Sequence, residues 1–376
     1  MTFQPNTVAV LGGGNGAFAA AADLALRGAR VRLLEVPELH DNVTRIQEKG
    51  GIELVAANVP GIAPGLARLD LITDNPEQAL DGAELVLYVV PAFAEARFTE
   101  LCALHFQAEQ LVVMFCGGLG AGLQLTRQLR SRGLTAVPTI AETEGLIYGS
   151  AKQDSTTVRV VAMKKGLRCS ALPSEKTPQA IATLRRYYPD FMAAGNVIET
   201  GLRNLNPVVH GPVSILNAGR TAKGKPKWRY YWEGVTEPIG RVLTEVDRER
   251  LAIGAALGMQ LPSATQVLLD WYGHQGARGS DLGQILSTNP PYEAVWAPES
   301  LEHRFITEDV PYGLVPLEAF GTALGVQTPA IRSLITLACM LLNTDFRATG
   351  RNLDALGLAG MGTIELNAML QSGAAA

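Results

Sequence analysis

The feature that most constrains this chain lies within its first 35 residues. A short apolar run, Thr7-Val-Ala-Val-Leu11, is broken by Gly12-Gly13-Gly14-Asn15-Gly16-Ala17. Ala17 to Arg27 then reads as a helix, and Gly28 stands where a left-handed cap would close it. A second run, Val31 to Leu34, ends at Glu35. Strand, glycine turn, helix, strand and acid in this order predict the opening unit of a Rossmann-like α/β domain. The runs Leu85–Val90 and Leu111–Phe115, each ending in Pro or Gly, add buried parallel strands, and Val137–Ile140 adds one more.

The turn fits G-x-G-x-x-[GA]. Gly12 permits a tight bend, Gly14 lets a pyrophosphate approach the backbone, and Ala17 permits close helix–strand packing. The helix that follows offers N–H groups and a positive dipole end to phosphates. Gly12, Gly13, Gly14, Asn15, Gly16 and Ala17 are therefore candidate cofactor contacts, the plain alternative being a turn that merely needs positive φ. A carboxylate at Glu35 would bind a ribose 2′-hydroxyl and repel a 2′-phosphate, which favours NAD(H). Arg32 and Arg45 stand nearby, so NADP(H) is admitted. Val90-Pro91-Ala92 places a rigid kink where the nicotinamide half belongs, and Cys116-Gly117-Gly118 does the same one strand later. Both also read as simple strand exits.

From about residue 200 the period changes. Thr236 stands where it would cap a helix that has Pro238 in its first turn and Ile239, Val242, Leu243, Val246, Ile253 and Leu257 on one face, with Gly258 ending it. Thr328-Pro329 opens another, with Ile331, Leu334, Ile335 and Ala338. The expected architecture is a dinucleotide-binding Rossmann-like domain over 1–195 and a mainly α-helical substrate and catalytic domain over 196–376.

Composition excludes other classes. Charged residues are 18% of the chain and hydrophobic ones 47%, too few charges for a disordered or coiled-coil protein. A formal charge of −4 gives no basic field for nucleic acid or an anionic membrane. The 4 cysteines, Cys102, Cys116, Cys169 and Cys339, have no metal-ligand spacing and read as free thiols of a reducing compartment. No leader is read in Met1-Thr-Phe-Gln-Pro-Asn6, and the apolar stretch Leu334–Leu342 is about half of what a bilayer requires. A cytoplasmic protein acting on small molecules is expected. A homodimer is admitted and not indicated.

The second half holds the remaining polar candidates. Asn204-Leu-Asn-Pro-Val-Val-His210-Gly-Pro opens an apolar, helix-like segment reaching Asn217-Ala-Gly-Arg220. His210 is one of 5 histidines. By residue type it is either a core side chain or an acid–base group, because imidazole titrates near neutrality. Arg304 and Asp309 read by default as surface charges.

Taken together these blocks resemble the opine dehydrogenases, over almost the whole chain. The resemblance rests on the turn Gly12–Gly16, Glu142-Thr143, Asn204-x-Asn-x-x-x-His210 and Leu216-Asn-Ala-Gly-Arg220. It continues through Tyr230-Tyr-x-Glu-Gly234, Asp247-x-Glu-Arg250, Arg304-x4-Asp309-Val-x-x-Gly-Leu-Val-Pro316-Leu and Thr344-Asp-Phe-Arg. Ala17 departs from it, standing where close relatives carry another glycine. The resemblance implies an NAD(P)H-dependent reductive condensation, in which an L-amino acid and a 2-oxo acid form an imine that is reduced to a secondary amine. It further implies His210 and Asp309 as the catalytic pair, Arg304 as the grip on a substrate carboxylate, and Thr143 as a substrate hydrogen-bonder at the domain cleft. Trp228, Tyr231 and Trp232 read either as amino-acid pocket or as aromatic packing.

Two other readings stay open at this level. One is a ketone-reducing dehydrogenase of the same layout, such as a ketopantoate reductase or a glycerol-3-phosphate dehydrogenase. Those would be expected to use a central lysine, and none stands beside His210 or between Arg304 and Asp309. The other is a catalytically inactive NAD-binding sensor, which ought to have lost its polar constellation. Which amino acid and oxo acid are used is not legible.

Overall fold

A computed structural model describes residues 7–56, 59–224 and 226–373; the N-terminal hexapeptide read above for a leader lies outside them. The chain divides into two compact units. One comprises Met1–Gly117, Ala121–Val197 and Met369–Ala376, the other Gly118–Gly120 and Ile198–Ala368.

Among the described residues the first unit is built on twelve strands: β1 Thr7–Leu11, β2 Arg30–Leu34, β3 Ile52–Ala56, β4 Gly65–Ala67, β5 Leu71–Thr73, β6 Leu85–Tyr88, β7 Leu111–Phe115, β8 Thr139–Thr143, β9 Tyr148–Lys152, β10 Thr157–Met163, β11 Arg168–Leu172 and β12 Met192–Ala193. Eight form one sheet in the order β12-β11-β8-β7-β6-β1-β2-β5. The pairs from β5 to β8 are parallel, whereas β11 runs antiparallel to β8. The apolar runs at β1, β6 and β7 do not alternate because both faces are covered: Val8, Ala9, Val10 and Leu11 are all fully buried. The strand order reverses at β1, between β6 and β2, and an open α/β sheet has its ligand crevice beyond the carboxyl ends there.

Boundaries differ from the sequence reading in instructive ways. The first helix is Asn15–Leu26, with Gly28 at φ 93° as its left-handed terminator. The strand expected over Val137–Ile140 lies at Thr139–Thr143 instead. Glu142 interrupts the apolar pattern, yet its buried carboxylate accepts a hydrogen bond from the Gly122 N–H at 2.6 Å, so the acid is accommodated.

A second sheet, β4-β3-β10-β9, packs across the helix Asn15–Leu26 and has no counterpart in the sequence reading. Its strands are short, and β10 alternates: Val158, Val160 and Ala162 are buried while Arg159 and Val161 face solvent. That is the signature of a sheet covered on one face.

The second unit is helical, its longest helices being Glu237–Ala256 and Pro329–Leu342. Thr236 and Thr328 occupy the expected cap positions, but neither hydroxyl makes the capping bond. Glu249 does it for the second helix, accepting from Ala330 and Ile331 N–H at 2.7 and 2.9 Å. The single segment expected from Asn204 to Arg220 is two helices, Asn206–Leu216 and Ala218–Ala222. Its kink falls at Asn217, whose side-chain amide donates to Val213 and Gly234 carbonyls.

Candidate active site

In the first unit, the carboxyl ends of β1 and β6 bring Gly12 against the Val89 backbone and the Val90 side chain. A Cβ on Gly12, which has φ 111°, would lie 2.6 Å from the Val89 carbonyl oxygen, so only glycine fits. Pro91 and Ala92 follow directly. Among the described residues no side chain caps the helix Asn15–Leu26, and its first turn carries no acid. The space before Gly14 is open, with no described atom within 4 Å of a Cβ built there. An uncapped helix N-terminus facing open space suits a pyrophosphate.

Glu35 leans over the same turn. Its Oε2 would sit 1.7 Å from a Cβ on Gly13, so glycine at 13 is what lets the carboxylate lie there. Oε1 accepts from the Val36 N–H at 3.0 Å. Burial pushes the carboxyl above its ordinary range, opposed by that N–H, by Asn42 and by the Lys152 charge.

Lys152, at the end of β9, escaped the sequence reading. Its Nζ donates to the Gly13 carbonyl at 3.0 Å and lies 3.8 Å over the Phe18 ring. Its backbone N–H donates to Asn15 Oδ1 at 2.9 Å. Asn15 therefore ties the second sheet to the glycine turn. No linear spacing could have flagged a lysine 139 residues from its partner.

Thr143 ends β8, buried. Its hydroxyl donates to the Gly145 carbonyl at 2.9 Å and accepts from the Cys116 N–H at 3.2 Å. Cys116 is held at φ 65°, a left-handed conformation that costs a non-glycine residue about 1 kcal/mol or more.

The second unit holds a separate polar cluster. The helix Asn206–Leu216 starts with Pro207 in its first turn, and an Asn204 side chain accepts from the Asn206 N–H. It presents His210, whose side chain is 14% exposed. The short helix Arg304–Thr307 is followed by a π-type turn, Val310–Leu314, in which the Leu314 N–H reaches back to the Asp309 carbonyl. Single π turns recur at functional positions because they re-aim side chains. Gly313 makes this one fit, since a Cβ there would lie 2.3 Å from the Pro207 ring.

The result is that Asp309 Oδ2 accepts from His210 Nδ1 at 2.9 Å. Asp309 is buried, not the surface charge that its sequence context suggested. A carboxylate only accepts, so Nδ1 carries a proton, and in the neutral form of the imidazole Nε2 presents its lone pair. Phe305 stacks on the imidazole with centroids 4.3 Å apart. Arg304, 39% exposed at its side chain, pairs with Glu308 at 3.2 Å. His303 caps the Arg304 helix, its Nδ1 accepting from the Phe305 N–H. Burial, reinforced by the neighbouring Arg304 and His210, pushes that imidazole down to about 4.

Comparison with known proteins identifies the family. Residues 193–342 match the family model described as NAD/NADP octopine/nopaline dehydrogenase, alpha-helical domain. The chain is 35% identical over 358 residues to an opine dehydrogenase of Arthrobacter sp. (strain 1C), covering 95% of this chain and 97% of that one. The chain belongs to the opine dehydrogenase family. The ocs protein of Agrobacterium tumefaciens (strain Ach5) is 29% identical over 94% of this chain and 96% of its own. Among solved structures, an octopine dehydrogenase in complex with NADH and agmatine shares the fold, with a TM-score of 0.79, 24% identity and 98% of each chain covered.

Several blocks that carry the opine dehydrogenase resemblance turn out to be framework. Arg250 is fully buried, donating to Asp247 and to the Leu202 and Pro262 carbonyls. Glu249 caps a helix, as described. Asp345 caps the helix Phe346–Thr349, and Arg347 forks onto Glu318 at 2.6 and 2.9 Å. Arg220 covers the Trp228 ring and pairs with Glu233. Trp232 donates its indole N–H to the Asn289 carbonyl. Tyr231 is different: its hydroxyl lies 2.9 Å from His210 Nε2.

Proposed function

We propose that this protein catalyses the NAD(P)H-dependent reductive condensation of an L-amino acid with a 2-oxo acid, and the reverse oxidation. Family membership makes it an oxidoreductase of CH–NH bonds and sets aside the ketone-reducing reading. The observation that carries the mechanism is the Asp309–His210 hydrogen bond in a chain of that family.

The residues of the glycine turn fit a dinucleotide. Gly12, Gly13, Gly14, Asn15, Gly16 and Ala17 would hold the pyrophosphate through backbone N–H groups, and Glu35 the adenine-side ribose, favouring NAD(H). Val90, Pro91 and Ala92 would line the nicotinamide end. The bound coenzyme supplies the hydride that reduces the imine carbon. Residues 1–195 thus bind the coenzyme, and 196–376 supply substrate binding and proton transfer.

His210, with its Nε2 lone pair, takes a proton from the substrate ammonium and returns it to the departing oxygen. Asp309 keeps the proton on Nδ1 and stabilises the imidazolium, the role of the third member in a serine-protease triad. Arg304 forks onto a substrate carboxylate, as a planar guanidinium does best. The Thr143 hydroxyl points its proton at the Gly145 and Met114 carbonyls and accepts from the Cys116 N–H, which leaves one lone pair for a substrate donor. Free thiols and small-molecule substrates suit a cytoplasmic enzyme.

The test is a matrix of NADH-oxidation assays, pairing pyruvate, oxaloacetate, 2-oxoglutarate and glyoxylate with each common amino acid. Oxidation that requires both partners and yields the secondary amine is expected. Oxidation by an oxo acid alone, or tight NADH binding with no turnover on any pair, would sink the proposal.

A further inference from the structure

Both ring nitrogens of His210 are occupied. Nδ1 donates to Asp309, and Nε2 lies 2.9 Å from the Tyr231 hydroxyl. In the neutral imidazole Nε2 bears the lone pair, and Tyr231 then donates to it. One imidazole face is covered by Phe305 at a 29° tilt. A proton reaching Nε2 along its hydrogen bond therefore passes through the tyrosine hydroxyl.

That hydroxyl is held firmly. The Tyr231 ring stacks on Tyr292 with centroids 4.3 Å apart, and Tyr230 meets it edge-on at 5.0 Å. Tyr272 buttresses Tyr292 in turn, at 5.4 Å. Tyr230 donates to the His210 backbone carbonyl at 2.7 Å, so consecutive tyrosines grip this histidine at its backbone and at its ring. Swinging Tyr231 aside would unstack a buried aromatic cluster, whose pairs contribute about 0.5–1.5 kcal/mol each beyond burial.

We propose that Tyr231 is a further catalytic residue, the atom through which His210 exchanges protons with the reacting nitrogen and oxygen. The inference rests on the function proposed above. In the forward direction the substrate ammonium N–H bond breaks, its electron pair staying on nitrogen as the nucleophile. That proton goes to Tyr231 Oη while the hydroxyl's own proton passes to Nε2, leaving an imidazolium held by Asp309. After addition to the oxo acid, the relay runs backwards to the carbinolamine oxygen. The C–O bond breaks with its electron pair, and water leaves. No protein group is oxidised or reduced. Burial, with Tyr292, Tyr230 and Asp309 beside it, holds the Tyr231 phenol well above its ordinary range, against the opposing charge of Arg304. It thus stays a hydroxyl and shuttles protons without resting as phenolate.

Asp309, Tyr231 and Phe305 contact the imidazole, Tyr230 holds its backbone carbonyl, and the charges of His303 and Arg304 lie close by; among the described residues the Tyr231 phenol is the hydroxyl bonded to a ring nitrogen. Tyr231→Phe removes a single oxygen and keeps the stack. Three quantities are compared with wild type: kcat on the best substrate pair, NADH affinity by fluorescence, and the ¹⁵N resonances of the His210 ring. A fall in kcat of about 100-fold is expected, within the range of general acid–base contributions, with NADH affinity unchanged and the proton still on Nδ1. A kcat within about tenfold of wild type, below that range, overturns the relay. So does a larger fall accompanied by a proton moved to Nε2, which would make Tyr231 only a holder of the tautomer. If Tyr231→Phe does not fold, replacement of Tyr231 by 3-fluorotyrosine retains the shape with a more acidic phenol. A displaced kcat/KM pH profile then supports the relay, and a superimposable one refutes it. A wild-type protein without amine-dependent turnover would defeat the parent reading instead, so the two failures are distinguishable.

Discussion

His210 and Asp309, 99 residues apart in the chain, share a 2.9 Å hydrogen bond between Nδ1 and Oδ2. Neither side chain is more than 14% exposed, so the bond is sheltered from competing water. Asp309→Asn replaces an obligate acceptor with a group that can also donate, freeing the imidazole to adopt the wrong tautomer. A kcat lowered by about 10² or more is expected, with NADH affinity preserved. Steady-state kinetics beside a fluorescence titration of NADH check both halves.

Gly13 and Glu35 form a second coupled pair. A methyl at 13 would overlap Oε2, so Gly13→Ala must push the carboxylate off the turn. The NADH dissociation constant should rise about tenfold, the loss of one charge-assisted hydrogen bond to the ribose. NADPH affinity should change less, narrowing the preference. A preserved NADH:NADPH ratio would show that Glu35 does not read the ribose.

His303 makes the fold sensitive to acid. Its folded imidazole titrates at about 4, against 6.5 for the ordinary group. Between these values the unfolded chain binds a proton that the folded chain refuses, so stability present above pH 6.5 is lost as pH falls towards 4. Protonated Nδ1 also cannot accept from the Phe305 N–H, which loosens the helix that carries Arg304. His303→Gln should flatten the Tm-against-pH curve in that window. Parallel curves for the two proteins would remove this account.

Arg304→Lys keeps the charge and loses the fork. The KM for the oxo acid should rise about tenfold or more, while the KM for NADH stays put. Glu308 lies 3.2 Å from Arg304 Nε as its ion-pair partner. Glu308→Gln should raise the same constant by a smaller factor. A rise confined to the amino-acid KM would reassign Arg304 to the other substrate.

Much of this protein is written locally. Val8 to Leu11, buried on both faces, had to read as an unbroken apolar strand, and Gly12 had to be glycine where a Cβ would lie 2.6 Å from the Val89 carbonyl oxygen. Those are short-range steric demands, so they leave marks at fixed spacing. The β9–β10 hairpin left weaker marks, because a sheet covered on one face tolerates Arg159 and Val161 outside. Lys152 over Gly13, Glu249 capping a helix 81 residues away, and Tyr231 on His210 left none. Their partners are set by packing between distant segments, and a side chain's type does not encode whom it will meet. Even His210 was ambiguous as a letter in an apolar run. The π turn, admitted by Gly313 against Pro207, is what delivers Asp309 to it and gives a histidine in an apolar run a carboxylate partner.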